Sequence, residues 1–213
     1  MISSENINSM RLQFISHENS RFSYVEGCIK ALEGGCRWIQ LRMQESTPDD
    51  IAHNAEILLP YAKEYEAVLI IDDHVDVCKR VGAHGVHLGK NDMSPEEARK
   101  ILGDSKIIGG TCNTFDDILR IDKFVDYIGC GPFRYTSTKK NLAPLLGLDG
   151  YRELVWKCRS QSINIPIVAI GGITINDVED IINAGANGIA ISGEILNADD
   201  PKEMTRRFAD KLL

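Results

Sequence analysis

Val68-Leu69-Ile70-Ile71-Asp72-Asp73 and, a short helical stretch later, Gly85-Val86-His87-Leu88-Gly89 decide the fold of this chain. Each is an apolar run too short for a helix and closed by a polar residue or glycine, the signature of a strand. Nearly continuous apolar composition is needed only where both faces of a strand are covered, as in a parallel sheet with helical crossovers. Working outward, the same kind of run recurs at 11–16, 37–43, 106–111, 125–131, 166–172 and 188–193. Helical spacing fills the gaps. In 48–65, for example, Ile51, Ala55, Leu58, Leu59 and Ala62 share one face. Capping chemistry opens several of these helices. Thr47-Pro48-Asp49-Asp50 supplies a hydroxyl at N-cap, proline at N1 and a carboxylate at N3, and Ser94-Pro95-Glu96-Glu97 repeats it. Thr114 with Asp117 and Thr174 with Asp177 do the same without proline. Eight strands in 213 residues leave roughly 27 residues per strand–helix unit, enough for a closed barrel. The expected fold is therefore α/β, a single (β/α)8 TIM barrel spanning residues 1–213. An open doubly wound sheet would call for a glycine-rich turn after the first strand, and His17-Glu18-Asn19-Ser20 stands there instead.

The charge balance narrows the partners. Lys+Arg 24 against Asp+Glu 31 gives a net charge of −7, which argues against nucleic acid or an anionic membrane surface. No apolar run approaches the ~20 residues of a membrane span, and the N-terminal residues read as no signal peptide. The six cysteines form no C-x-x-C pair and lie mostly in apolar segments, as buried thiols do in a reduced, cytoplasmic protein.

In a barrel of this kind the site is built from the loops at the C-terminal ends of the strands, and polar residues collect there. Thr136-Ser137-Thr138-Lys139-Lys140 puts three hydroxyls and two ammonium groups into five residues of an acidic chain, a composition suited to a phosphorylated small molecule. Period-two alternation puts Gln40, Arg42 and Gln44 on one face of the second strand, with Ile39, Leu41 and Met43 toward the helices. An inward amide and guanidinium need partners, whether a ligand or a buried ion-pair network. Asp73 and Asp92 end adjacent strands, about 4.8 Å apart, and would repel unless a cation lay between them. Mg²⁺ completed by a substrate phosphate meets that need, while loop or helix caps are the simpler alternative. His84 and His87 read as structural rather than metal-ligating. Gly171-Gly172 and Ser192-Gly193 each precede a helix start after strands seven and eight, where glycine lets backbone N–H groups approach an anion.

Taken in order, Gln40-Leu41-Arg42, Ile71-Asp72-Asp73-His74-Val75-Asp76, Gly85-Val86-His87-Leu88-Gly89, Asp92, Gly131-Pro132, Thr136-Ser137-Thr138-Lys139 and Ala169-Ile170-Gly171-Gly172-Ile173 resemble the thiamine-phosphate synthase (thiamine-phosphate pyrophosphorylase) family. The resemblance runs from about Arg37 to Pro201. It implies a transferase of thiamine biosynthesis that joins 4-amino-2-methyl-5-hydroxymethylpyrimidine diphosphate to a hydroxyethylthiazole phosphate and releases pyrophosphate. It also implies that Gln40, Arg42 and Asp72 hold the pyrimidine diphosphate, with Thr111 and Lys139 at its diphosphate. Arg42 and Lys139 would stabilise the leaving group, and Asp73 and Asp92 would bind Mg²⁺. Thr136, Ser137, Thr138, Gly172, Ser192 and Gly193 would hold the thiazole phosphate. Two positions depart from the family pattern: Gln44 where lysine is common, its side chain still expected at the pyrimidine diphosphate, and Asp72-Asp73 where Asn-Asp is common. Lys90 and Lys140 are nearby cations that could compensate. A thiazole tautomerase-like relative and a non-catalytic phosphate-binding barrel are the alternatives, and retention of Asp73, Asp92 and Lys139 argues against the former.

Overall fold

The computed structural model describes residues 10–135 and 144–213. Eight parallel strands among them close into a barrel in sequence order. They are β1 (Leu12–Ile15), β2 (Trp38–Leu41), β3 (Val68–Asp72), β4 (Gly85–Leu88), β5 (Ile107–Cys112), β6 (Tyr127–Cys130), β7 (Ile167–Ile170) and β8 (Gly188–Ile191). The crossover helices are α1 (Tyr24–Glu33), α2 (Pro48–Glu64), α3 (Val75–Val81), α4 (Pro95–Leu102), α5 (Phe115–Ile121), α6 (Gly147–Ser160) and α7 (Val178–Asn183), followed by a short α8 (Gly193–Leu196) and α9 (Pro201–Lys211). Among the described residues, no helix is long and apolar enough to cross a membrane.

The helix starts follow the capping chemistry written in the sequence. Thr47 and Asp50 close a full capping box with Pro48 in the first turn of α2, and Thr114 with Asp117 does so for α5. Ser94 accepts the N–H of Glu97 at the start of α4. The Thr174–Asp177 box opens a short 3₁₀ turn, Ile175–Asp177, which leads into α7. On α2, Ile51, Ala52, Ala55, Leu58 and Ala62 are buried against the sheet; Ala52 joins that face, and Leu59 sits at its margin.

Burial divides the strands into two faces. Ile39, Leu41, Met43, Ile71 and Val86 belong to the large core between sheet and helices. Ile15, Trp38, Val68, Ile70, Ile107, Tyr127, Val168 and Ala190 fill the barrel interior. The strands are shorter than the apolar runs at several ends. β2 stops at Leu41, so Arg42, Met43 and Gln44 already belong to the loop.

Lateral register sets up one cross-strand row that matters below. His87 of β4 lies beside Gly109 of β5, and Gly109 lies beside Tyr127 of β6. A side chain at 109 would place its Cβ 2.2 Å from Tyr127 Cζ and 2.5 Å from His87 Nδ1. Glycine in a strand interior weakens it, so its presence here marks a close approach. β1 and β8 complete the barrel, pairing Leu12 with Ile189, Gln13 with Ala190 and Phe14 with Ile191.

Candidate active site

At the C-terminal mouth, β2 and β3 bring three of the expected residues into contact. Gln40 is buried and its Nε2 donates to Asp72 Oδ1 in a short hydrogen bond. Arg42 Nε stands 3.4 Å from Asp72 Oδ2. The inward guanidinium and amide thus share one carboxylate. Desolvation pushes the Asp72 carboxyl well above its ordinary range, with Asp73 adding to the rise and Arg42 and Gln40 opposing it. Arg42 lies beyond the strand, yet its backbone is fixed. Its N–H donates to Ser16 Oγ at 2.8 Å, and Ser16 Oγ donates to its carbonyl at 3.1 Å. Gln40 Oε1 is a buried acceptor with no hydrogen-bond partner among the described residues.

The expectation for Gln44 changes. Alternation ends with β2 at Leu41, Gln44 sits in an exposed turn, and Glu45 takes a left-handed φ of 66°. The period-two argument therefore does not carry Gln44 onto the face of Gln40 and Arg42.

Asp73 and Asp92 do face one another. The Asp73 N–H donates to the His87 carbonyl at 2.8 Å, and its backbone turns with φ 66°. Asp92 Oδ2 accepts the N–H of Gly89 at 2.7 Å, which presents the carboxylate across the β3–β4 mouth. The Asp73 carboxyl is pushed up to about 6, first by desolvation and then by the hydrogen bond and charge of Asp92. Asp73 is an exposed residue, so the facing carboxylate carries more weight here than the desolvation. A carboxyl that holds its proton because a second carboxylate opposes it is one that a divalent cation would relieve. Among the described residues no group of three or more potential ligands converges, so a cation here would complete its shell with substrate oxygens or water.

Lys90, one of the two compensating cations expected from the sequence, is committed elsewhere. Its Nζ lies 2.5 Å from Asp117 Oδ2. Burial would raise the Asp117 carboxyl, but Lys90 and hydrogen bonds from Asn113 and Thr114 hold it at about 2. Lys140 lies outside the described residues, as do Thr136, Ser137, Thr138 and Lys139.

The segment that leads into those residues is docked onto the β7 turn. Phe133 N–H donates to Ile170 O at 2.8 Å and Arg134 N–H to Gly171 O at 3.0 Å. Arg134 grips Asp177 with two bonds of 2.9 and 2.8 Å. Gly171 and Gly172 take φ of 103° and 64°, and a Cβ at 172 would meet the Tyr135 carbonyl at 2.6 Å. In the described residues, the glycine pair makes room for this packing as well as for the turn.

Ser192 and Gly193 open α8, and the Ser192 carbonyl accepts the N–H groups of both Ile195 and Leu196 at 3.1 Å. Ser192 Oγ donates to Ile15 O at 2.6 Å and lies 2.8 Å from His17 Nδ1. Its hydroxyl proton is therefore engaged across the β1–β8 junction. Burial lowers the His17 pKa, as does the charge of Arg42, and with the Ser192 proton committed to Ile15 O, Nδ1 is the donor to Ser192 Oγ.

Sequence reasoning missed His17, whose partner is far along the chain, and read His87 as structural without naming its partners. His87 Nδ1 lies 3.0 Å from the Tyr127 hydroxyl and Nε2 lies 3.0 Å from Thr111 Oγ1. Gln13 Nε2 reaches the same Tyr127 hydroxyl at 3.2 Å. His84 is structural as expected, its Nδ1 accepting the Leu69 N–H at 3.1 Å.

A parallel (β/α)8 barrel that gathers paired carboxylates and a guanidinium at its C-terminal mouth has the layout of the barrel enzymes, whose active sites are built at that mouth. Comparison with known proteins is more specific. The thiamine monophosphate synthase family model matches residues 12–195. A thiamine-phosphate synthase of Phocaeicola vulgatus is 52% identical over 201 residues, covering 94% of this chain and 97% of the relative. One from Flavobacterium psychrophilum is 43% identical over 203 residues, covering 95% and 98%. The solved thiamine phosphate pyrophosphorylase of Pyrococcus furiosus superposes with a TM-score of 0.85 at 31% identity, covering 96% of each chain. The chain belongs to the thiamine monophosphate synthase family.

Proposed function

We propose that this chain joins 4-amino-2-methyl-5-hydroxymethylpyrimidine diphosphate to hydroxyethylthiazole phosphate, giving thiamine phosphate and pyrophosphate. The observation that carries this reading is the facing pair Asp73 and Asp92 beside the Gln40–Asp72–Arg42 cluster. It combines a place for a divalent cation with a fixed guanidinium, which is what a departing diphosphate requires. The buried, unpartnered Gln40 Oε1 is an acceptor suited to the amino group of an aminopyrimidine.

In this reading Gln40, Arg42, Asp72 and Thr111 bind the pyrimidine diphosphate, with Lys139 at its diphosphate and Gln44 at the outer edge. Thr136, Ser137, Thr138, Gly172, Ser192 and Gly193 bind the thiazole phosphate. Since the Ser192 hydroxyl is engaged by Ile15 and His17, its contribution would come through the main chain. Asp73 and Asp92 would hold Mg²⁺, which when bound would neutralise diphosphate oxygens. The bond between the pyrimidine methylene carbon and the diphosphate oxygen breaks, and its electron pair leaves with pyrophosphate. The thiazole nitrogen then gives its lone pair to that carbon, forming the new C–N bond. No nucleophilic side chain is required. Arg42 and Lys139 would meet the charge that builds on the leaving oxygens, and the Arg42 backbone, held by Ser16, lets its guanidinium do so with little reorganisation. All six cysteines are buried and free, which suits a reducing, cytoplasmic setting.

Mixing both substrates with Mg²⁺ and measuring pyrophosphate tests the reading. Stoichiometric pyrophosphate and thiamine phosphate are expected. Binding of both substrates without pyrophosphate release would overturn it.

A further inference from the structure

Gln13, Tyr127, His87 and Thr111 form a continuous hydrogen-bonded chain across the barrel interior, from β1 to β6, back to β4 and out to β5. Gln13 and Tyr127 are 2% and 0% exposed, so no solvent can exchange for these bonds. The amide of Gln13 donates to the Tyr127 oxygen, which leaves the phenolic proton to be placed. Burial raises the phenol pKa, so that proton stays on Tyr127. His87 Nδ1, at 3.0 Å, receives it. The opposite polarity, with Nδ1–H donating to the phenol, would leave the phenolic proton without an acceptor among the described residues. With Nδ1 accepting, the neutral ring carries its proton on Nε2, which faces Thr111 Oγ1 at 3.0 Å.

We infer that His87, held in its Nε2–H tautomer by Gln13 and Tyr127, is a positioning residue that makes Thr111 a hydrogen-bond donor to the anionic substrate. One lone pair of Thr111 Oγ1 is taken by His87, so the hydroxyl's own proton is the group left for a ligand. An acceptor-only diphosphate oxygen needs such a donor, and a freely rotating hydroxyl would meet it with a lone pair part of the time. The strand residues around the chain are consistent with selection for this contact. Gly109 vacates the space where Tyr127 and His87 meet, and a Cβ at Gly129 would come within 3.1 Å of His87 Cε1. Two strand-interior glycines are a cost that bulk packing alone would not call for.

This inference rests on the reading that Thr111 contacts the pyrimidine diphosphate, and two measurements keep the two separable. Nitrogen-15 spectra of histidine-labelled wild-type protein, with His87 assigned by its disappearance in His87→Gln, read the tautomer without any turnover. The proton is expected on Nε2; finding it on Nδ1 overturns the inference whatever the protein's activity. Kinetics then test the path. Tyr127→Phe should raise KM for the pyrimidine diphosphate roughly tenfold, the scale of one hydrogen bond to a charged group. KM for the thiazole phosphate should not move. Thr111→Val combined with Tyr127→Phe should be no worse than Thr111→Val alone, because the tyrosine acts through the threonine. Losses that multiply in the double variant, or equal rises in both KM values, would mean that Tyr127 only supports packing and would overturn the inference. If Tyr127→Phe fails to fold, the wild-type tautomer still decides.

Discussion

Replacing Asp73 by asparagine asks whether the Asp73–Asp92 pair is built for a cation. Asparagine keeps the side-chain shape and tolerates the left-handed backbone at φ 66°, so the change removes charge and little else. Without metal, the Asp73 carboxyl is pushed from 3.8 to about 6 by desolvation and by Asp92. Between those values the folded chain binds more protons than the unfolded chain, so stability falls as pH rises through the window and the loss is complete above about 6. At about 1.4 kcal/mol per unit, the upper bound is about 3 kcal/mol. Asp73 is exposed, and solvent screening brings the working figure to about 1 kcal/mol. In a chain of 213 residues that moves Tm by about 2–4 °C. Thermal melts in chelator should therefore show Asp73→Asn level with wild type near pH 4 and about 2–4 °C above it at and beyond neutral pH. Added Mg²⁺ should then stabilise wild type and leave the variant nearly unchanged. A variant that melts below wild type at neutral pH without metal would refute the reasoning, as would equal Mg²⁺ stabilisation of both proteins.

Asp92→Asn should lower pyrophosphate release by several tens-fold, roughly the loss of one strong electrostatic contact, and excess chelator should abolish it; full turnover in metal-free buffer would remove the metal from the mechanism. Lys139→Met should cost about 10²–10³ in kcat, read from single-turnover pyrophosphate release with circular dichroism to check the fold. Gln44→Lys should lower KM for the pyrimidine diphosphate and steepen its salt dependence while leaving the thiazole phosphate unchanged; an unchanged KM would mean that the exposed turn holds position 44 clear of the ligand. Gly109→Ala should destabilise by about 1–3 kcal/mol in urea titration, because its Cβ has no room between Tyr127 and His87.

The eight strands were legible because each is buried on both faces and so spells an apolar run. Their ends were not. At β2 the run continues through Arg42 and Met43 although the ladder stops at Leu41, because Met43 packs into the helix-side core from the loop. The period-two argument for Gln44 fails for the same reason: alternation holds only while the ladder lasts, and it ends at Leu41, three residues before Gln44, with Glu45 then turning the backbone. Helix starts were read well because a capping box is local, its donor and acceptor three residues apart. The partnership of Asp73 with Asp92 was accessible from the spacing of adjacent strands. The Gln13–Tyr127–His87–Thr111 chain was not, since it depends on lateral register and on a glycine whose absent side chain is the signal. A histidine followed by nothing unusual, as at His17, carries no mark of a serine 175 positions away.

That His17–Ser192 pair lies on the junction where the first strand meets the last, and this has a consequence for how the protein comes into being. A chain that has assembled its first seven strands has most of its helices and most of its core, yet neither the 2.8 Å contact nor the Ser192–Ile15 bond exists until β8 arrives. Pairings so distant in sequence are kinetically the slowest to form. Affinity for a phosphorylated thiazole should thus return late in refolding, after the bulk of helical signal has recovered. If Ser192 and Gly193 hold the thiazole phosphate as proposed, recognition of that substrate would double as proof that the barrel has closed.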